Sequence, residues 1–205
     1  MAAHTIPCFC EAPLMVEAPE CIDLDAEPWY LAEILDGTFM NFTCASCGKL
    51  HKPEFPLTVR WPGKASLLEV IPEADRLFFY RQKKEKNRTG EMVIGYPELA
   101  ERLAILRDGL EPMTVEALKY YLYLKGEEHS PEEIAVWYHR HTPDTLEFYL
   151  RGVREDAIGV TQIPQAVYEN ILGDYKKRPK AALFRALRTG RYLSVKNLMF
   201  PGTMG

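Results

Sequence analysis

With 205 residues, 47% hydrophobic and 26% charged, the chain has the composition of a globular protein of one large domain or two small ones. A net charge of −4 excludes the whole-chain basic signature of a nucleic-acid binder. No apolar run approaches the roughly 18 residues of a membrane span, and MAAHTIPCFC lacks the basic and apolar regions of a secretion signal, so the chain reads as cytoplasmic with no membrane partner.

Taken in chain order, LMVEAPECIDL (14–24) predicts one or two short strands, and AEPWYLAEILDG predicts a helix. Pro28 suits its first turn, Trp29, Leu31, Ile34 and Leu35 form an apolar stripe, and Gly37 suits its C-terminal cap. TFMNFTC alternates and is rich in β-formers, so it predicts a strand running into a cysteine turn. EFPLTVRW and SLLEVIP predict strands separated by a Pro62-Gly63 turn, and RLFFYRQ a further strand after PEAD. KKEKNRTG (83–90) reads as a charged surface loop, and EMVIGY as a strand. The period then becomes helical. Leu99, Leu103 and Leu106 share one face between Pro97 and Gly109, and a second helix carries Val115, Leu118, Tyr121 and Leu122. EEIAVWYHRHTPDTLEFYLRGV predicts a β-hairpin turning at TPDT, with Ala135, Trp137, His139 and His141 on one face and Val136, Tyr138 and Arg140 on the other. AIGVTQI adds a strand, PQAVYENILGDY and KAALFRALRTG are helical, with Ala182, Leu183, Ala186 and Leu187 burying one side of the latter, and YLSVKNLMF closes the chain.

The five cysteines all fall within the first 47 residues: Cys8, Cys10, Cys21, Cys44 and Cys47. An odd number in a cytoplasmic chain argues against a disulfide framework, and clustered thiols in a reducing compartment point to metal. In CASCG, Cys-x-x-Cys-Gly holds two thiolates on one side of a tight bend, where glycine supplies the positive φ. That is half of a four-thiolate zinc site. Cys8 and Cys10 are the other close pair, but a one-residue gap places side chains on opposite faces of a strand, so the chain has to bend there; Pro7 and Pro13 favour a bend. The expected ligand set is Cys8, Cys10, Cys44 and Cys47 holding a structural Zn²⁺, with His4 or His51 as alternatives completing it. Cys21, in an apolar strand-like context, is expected to be a small buried side chain. A redox role for Cys44 and Cys47 is disfavoured because KLHKPEF does not open a helix.

The N-terminal cysteine pair, EPWYLAEILDG, FMNFTCASCGKLH and ELAERLAILRDGLEPMTVEALKYY together resemble the CpXC domain family of prokaryotic proteins, named for two Cys-Pro-x-Cys turns. The resemblance covers about residues 6 to 125. Its second turn maps onto Cys44, Ala45, Ser46 and Cys47, with alanine in place of proline. In the first, Cys10 fits the second cysteine, Pro7 stands where the first would be, and Cys8 follows one position later. The resemblance implies a zinc-binding fold and assigns no activity or substrate. The expected fold is α+β: a zinc-ribbon-like antiparallel β unit with one helix in domain 1–125, followed by a hairpin and helix extension, 126–205, packed on it.

The motifs of zinc deaminases, His-Glu-x-x-His proteases, Gly-x-Ser-x-Gly hydrolases and phosphate-binding loops are absent from the sequence, so no catalytic residue is assigned. The remaining enzyme reading uses His139 and His141, which lie about 7 Å apart along a strand, with Glu132, Glu133, Asp144 and Glu147 nearby in sequence and His129 as a conjectural third ligand. Charge is uneven. Between Asp174 and Lys196 stand Lys176, Lys177, Arg178, Lys180, Arg185, Arg188, Arg191 and Lys196 against one acid, leaving 17 basic and 28 acidic residues elsewhere. The bland reading is a solvated face near acidic neighbours; the functional one is nucleic-acid binding through 176–191. Because the rest of the chain is acidic, a binding module for a protein partner ranks ahead of nucleic acid.

Overall fold

Apolar side chains at every second position build a sheet in the first half of the chain, and a helix whose first two turns are buried all round organises the second. The computed structural model describes residues 1–81, 89–127, 134–154 and 157–199, in two compact units, 1–100 and 101–205. The loop expected at 83–90 falls largely outside the described residues, as do His129, Glu132 and Glu133. The mixture of helix and strand makes the fold α+β, with a β-rich N-terminal region.

In the first unit, β1 (Ala2–Pro7) and β2 (Pro13–Ala18) form an antiparallel hairpin whose last pair is Pro7 with Pro13. β3 (Cys21–Asp23) follows, then α1 (Trp29–Asp36). Pro28 precedes α1, and Gly37 ends it at φ 75°, its N–H donating to the Ile34 carbonyl. Of the expected stripe only Ile34 is fully buried; Trp29 is exposed. β4 (Phe42–Thr43) and β5 (Leu50–His51) form a second, very short hairpin.

β6 (Leu57–Trp61), a 3₁₀ turn at Pro62–Lys64 and β7 (Ser66–Ile71) supply the centre of the unit's sheet. β3 pairs parallel with β6, and β6 antiparallel with β7. A 3₁₀ turn at Glu73–Asp75 leads into α2 (Arg76–Arg81), and β8 (Glu91–Ile94) pairs parallel with β7. α3 (Tyr96–Arg107) begins here, and the unit boundary falls within it. Leu57, Val59 and Trp61 on β6 and Leu68 and Val70 on β7 are buried at period two, beside Ile22, Val93 and Ile94. Each such side chain contributes roughly 1.5–3 kcal/mol on burial.

Two expectations fail here. Residues 76–81 are helical, not a strand. The preceding turn carries Glu73 and Asp75, acids that favour a helix N-terminus. Arg76 is then buried, bonded to Glu73, to Glu98 at 2.7 Å and to the Ile94 carbonyl at 3.3 Å, while Leu77 and Phe78 are exposed. Cys21 is exposed rather than buried, because β3 turns Ile22 inward and its neighbours outward.

The second unit centres on α4 (Pro112–Glu127), where every side chain from Met113 to Lys119 is buried. Tyr121, expected on its apolar stripe, is exposed. β9 (Ala135–His141), β10 (Thr145–Arg154) and β11 (Ala157–Pro164) form an antiparallel sheet with β10 central. α5 (Gln165–Lys177), α6 (Ala182–Ala186), the β12 (Arg188–Thr189) and β13 (Tyr192–Leu193) pair, and α7 (Lys196–Met199) complete it. Phe184 and Leu187, with Met113, Ala117, Leu193 and Val195, form a core cluster. Ala182, expected on the buried side of its helix, is exposed.

α3, α4 and the chain's end are also joined through buried charge. Lys119 Nζ lies 2.8 Å from Glu101 and 3.1 Å from Glu116, and Arg102 lies 3.7 Å from Glu116. The remaining carboxylate oxygens accept the N–H groups of Tyr138 (2.6 Å) and Val195 (2.7 Å), and Arg102 donates to the Leu193 carbonyl (2.9 Å). Burial pushes the Glu101 carboxyl above its ordinary range, with Lys119 pulling against it.

Candidate metal centre

The tips of the two short hairpins carry the cysteines. Beyond the Pro7–Pro13 pair, the first tip is closed by the Cys8 N–H donating to Ala12 O at 3.0 Å and the Glu11 N–H donating to Cys8 O at 2.9 Å. Beyond Thr43–Leu50, the second is closed by Cys44 N–H to Lys49 O at 2.9 Å and Gly48 N–H to Cys44 O at 2.8 Å. In both, the residue directly after the second cysteine has left-handed backbone: Glu11 at φ 66° and Gly48 at φ 71°. Cys-x-Cys therefore achieves, with one residue fewer, a bend like that of Cys-x-x-Cys. The alternation rule that would send Cys8 and Cys10 to opposite sides does not apply, because the strand has already ended.

The sulfurs of Cys8, Cys10, Cys44 and Cys47 all lie within 4.8 Å of one another. The first cysteine of each tip faces the second of the other: Cys8 Sγ is 3.5 Å from Cys47 Sγ, and Cys10 Sγ is 3.8 Å from Cys44 Sγ. No disulfide joins them. Four sulfurs at the Zn–S bond length would define a tetrahedron with edges of about 3.8 Å. Cys8 and Cys44 are buried, Cys10 and Cys47 exposed, so the group is reached from one side. The four-thiol donor set fits a metal ion.

The two buried thiols differ electrostatically. Backbone N–H groups of Cys47 and Ser46 point at Cys44 and lower its thiol pKa to about 6, so it is largely thiolate at neutral pH. The Cys10 N–H is the strongest single influence on Cys8 and lowers its pKa. Burial and the hydrogen bonds shared with Cys10, Cys47 and Cys44 outweigh it and raise the thiol to about 12.

Of the two histidines considered as substitutes, His51 stands just outside the group. Its Nε2 is 3.1 Å from Cys8 Sγ, and its ring stacks against Phe9 at 5.5 Å. His4 stacks on Phe55 at 4.1 Å. Sequence reasoning passed over Phe9, which lies between two of the thiols, is 82% exposed and has Lys49 Nζ over its ring at 5.4 Å. Its signal was its position inside the Cys-x-Cys turn.

The imidazoles of the second unit do not converge. A bulge between Glu147 and Phe148 leaves His139 as the extra residue on β9, so Arg140 pairs with Glu147 and His141 with Leu146. Arg140 thus leaves the face of Tyr138, and His141 leaves that of Trp137, contrary to strict alternation. His139 Nε2 is 3.0 Å from Tyr149 Oη, with the rings stacked, and His141 Nε2 is 3.1 Å from Gln165 Oε1. Among the described residues neither belongs to a group of metal-ligating side chains. In the basic segment, Lys176, Lys177, Arg178, Lys180, Arg185 and Arg188 are exposed, whereas Arg191 and Lys196 are half-buried. Among the described residues no helix is long and apolar enough to cross a membrane.

Paired cysteine turns brought tip to tip in an α+β chain define a class of proteins able to hold a metal ion through thiols. The chain belongs to the CpXC family: the CpXC protein family matches residues 6–119, a span containing all four cysteines. An uncharacterized protein of Treponema pallidum (strain Nichols) is 31% identical over 212 residues, covering 93% of this chain and 96% of its own. No solved structure matches the chain.

Proposed function

We propose that this protein is a binding module whose two cysteine tips form a zinc-ribbon-like clamp around a structural Zn²⁺ held by Cys8, Cys10, Cys44 and Cys47, and that it acts through a protein partner. The observation carrying the metal reading is the convergence of four unbridged sulfurs from two separate hairpins within 4.8 Å. All-sulfur ligation by four cysteines favours zinc in a structural role, since a catalytic zinc keeps a position open. Bound there, the ion crosslinks two hairpins that are otherwise held by few buried side chains. Phe9 supports the partner reading: a largely exposed aromatic fixed between two ligands and flanked by Lys49 is the kind of anchor that protein interfaces use.

Elemental analysis of protein purified without chelator tests the clamp. The expected result is one zinc per chain, lost in a Cys10→Ser/Cys44→Ser variant and retained in Phe9→Ala. A chelator should lower the melting temperature of the zinc-loaded protein. Protein free of metal, with a melt that chelator leaves unchanged, overturns the reading.

A further inference from the structure

From Lys176 to Arg188 the chain reads KKRPKAALFRALR, six cations and no acid. Here Arg178 pairs with Asp174 at 3.4 Å, and Lys176, Lys177, Lys180, Arg185 and Arg188 have no ion-pair partner among the described residues. All six are exposed.

The segment is held rigidly from beneath. Tyr175 at the end of α5 packs edge-on to Phe184 of α6 at 5.1 Å, and Phe184 and Leu187 enter the core beside Met113 and Leu193. The Arg185 N–H donates to Ala181 O, and the Ala181 N–H to Arg178 O, so the link between the helices is itself hydrogen-bonded. Apolar side chains turn inward and cations outward. Little backbone conformational entropy is then lost when a ligand meets this face.

We infer that this face binds the phosphate backbone of double-stranded DNA without reading its sequence. Three observations select that occupant. The unneutralised positive charge complements a polyanion. Within 176–188 no large apolar side chain is exposed, and the exposed Val167 lies at the opposite end of α5, so the face itself lacks the anchors on which a protein partner would build a hot spot. Its aromatic residues, Tyr175, Phe184 and Tyr192, are buried or half-buried, so no platform exists for stacking unpaired bases. What remains is contact to phosphates, which positions a duplex and carries no sequence information. The acidic remainder of the chain does not oppose this strongly, since charges beyond about 8 Å are screened at physiological salt. This inference is independent of the metal reading.

The test is fluorescence anisotropy of a labelled mixed-sequence DNA duplex titrated with the full chain from 50 to 200 mM KCl. Five or six phosphate contacts predict a slope of log K against log salt of about −4.5 to −5.5. Lys176→Glu/Lys177→Glu and Arg185→Glu/Arg188→Glu should each weaken binding at least tenfold and flatten the slope. Arg185→Lys/Arg188→Lys should bind within about twofold of wild type, since phosphate contacts need charge rather than a bidentate fork. Arg60→Glu, an exposed change in the first unit, should leave binding as it was. The inference is overturned if the duplex does not bind at 50 mM, if the charge reversals change nothing, or if Arg60→Glu costs as much as they do. Tighter binding of a single strand of the same length overturns the duplex assignment. Displacement of the duplex by poly-glutamate at equal charge concentration moves the face to acidic proteins and overturns it as well.

Discussion

In the second unit two buried carboxylates, Glu101 and Glu116, are met by Lys119 and Arg102 of the same chain. In the first, four thiols converge, and among the described residues the only basic side chain hydrogen-bonded to any of them is His51. Both groups gather side chains that repel one another once ionised. The carboxylate cluster carries its own cations, so it is complete as soon as the chain folds. The sulfur cluster carries none of comparable strength, so it either keeps its protons or takes a cation from outside. Cys44 at about 6 and Cys8 at about 12 show it divided, one thiol inclined to ionise and the other held neutral by its neighbours.

If that contrast is right, a chelator should act on one unit only. Structural zinc in small peptides is worth roughly 10–16 kcal/mol of apparent binding energy, the largest effect expected here. Hydrogen exchange with and without chelator should show protection lost at Cys8–Ala12 and Cys44–Lys49 and kept along α4. Loss of protection in α4 as well would break the contrast. The matching perturbation of the second unit is Lys119→Ala, which leaves Glu101 and Glu116 facing each other in the core. It should cost about 3–5 kcal/mol by denaturant unfolding while leaving zinc content unchanged. A smaller effect follows from protons. At pH 7 metal binding must displace the proton of Cys8, whereas Cys44 is already mostly ionised. Calorimetry in buffers of different ionisation enthalpy should register release of at least one proton. Affinity should fall about tenfold per pH unit for each displaced proton, and more steeply once pH drops below about 6, where Cys44 too is protonated.

The same contrast explains what could be read from the sequence. The four cysteines and the Gly48 turn were legible because ligand chemistry and positive φ are local demands written in residue type. So were β6 and β7, from their alternation, and α3 and α4, from the spacing of Leu99 and Leu103 between Pro97 and Gly109 and of Val115, Leu118 and Leu122, all of them buried. RLFFYR was misread because aromatic β-propensity outweighed the acids at 73 and 75, which open a helix. The His139–His141 face was misread because a bulge adds one residue, and nothing in VWYHRH marks where. The carboxylate–lysine cluster was illegible for a different reason. Glu101, Glu116 and Lys119 look like ordinary solvated helix positions, and only the packing around α4 buries them. Likewise, that Lys176, Lys177, Lys180, Arg185 and Arg188 meet no acid among the described residues depends on where the acids of distant segments end up.

The finest comparison lies between the two tips. Each places the residue after its second cysteine in left-handed backbone, but one uses glycine and the other glutamate. For a residue with a Cβ that conformation costs roughly 1–2 kcal/mol, and glycine avoids it at the expense of a more flexible unfolded chain, about 0.4–1 kcal/mol. Gly48→Ala should therefore destabilise the protein by about 1 kcal/mol, and the cost is conformational because a Cβ at 48 meets nothing within 4 Å. Glu11→Gly should do the reverse and stabilise by a few tenths to about 1 kcal/mol. Both variants keep all four sulfurs, so zinc content should stay at one per chain while thermal melts move in opposite directions. A Glu11→Gly protein that melts lower, or binds less zinc, would mean that the Glu11 side chain itself braces the shorter turn. The two tips would then reach the same bend by different means.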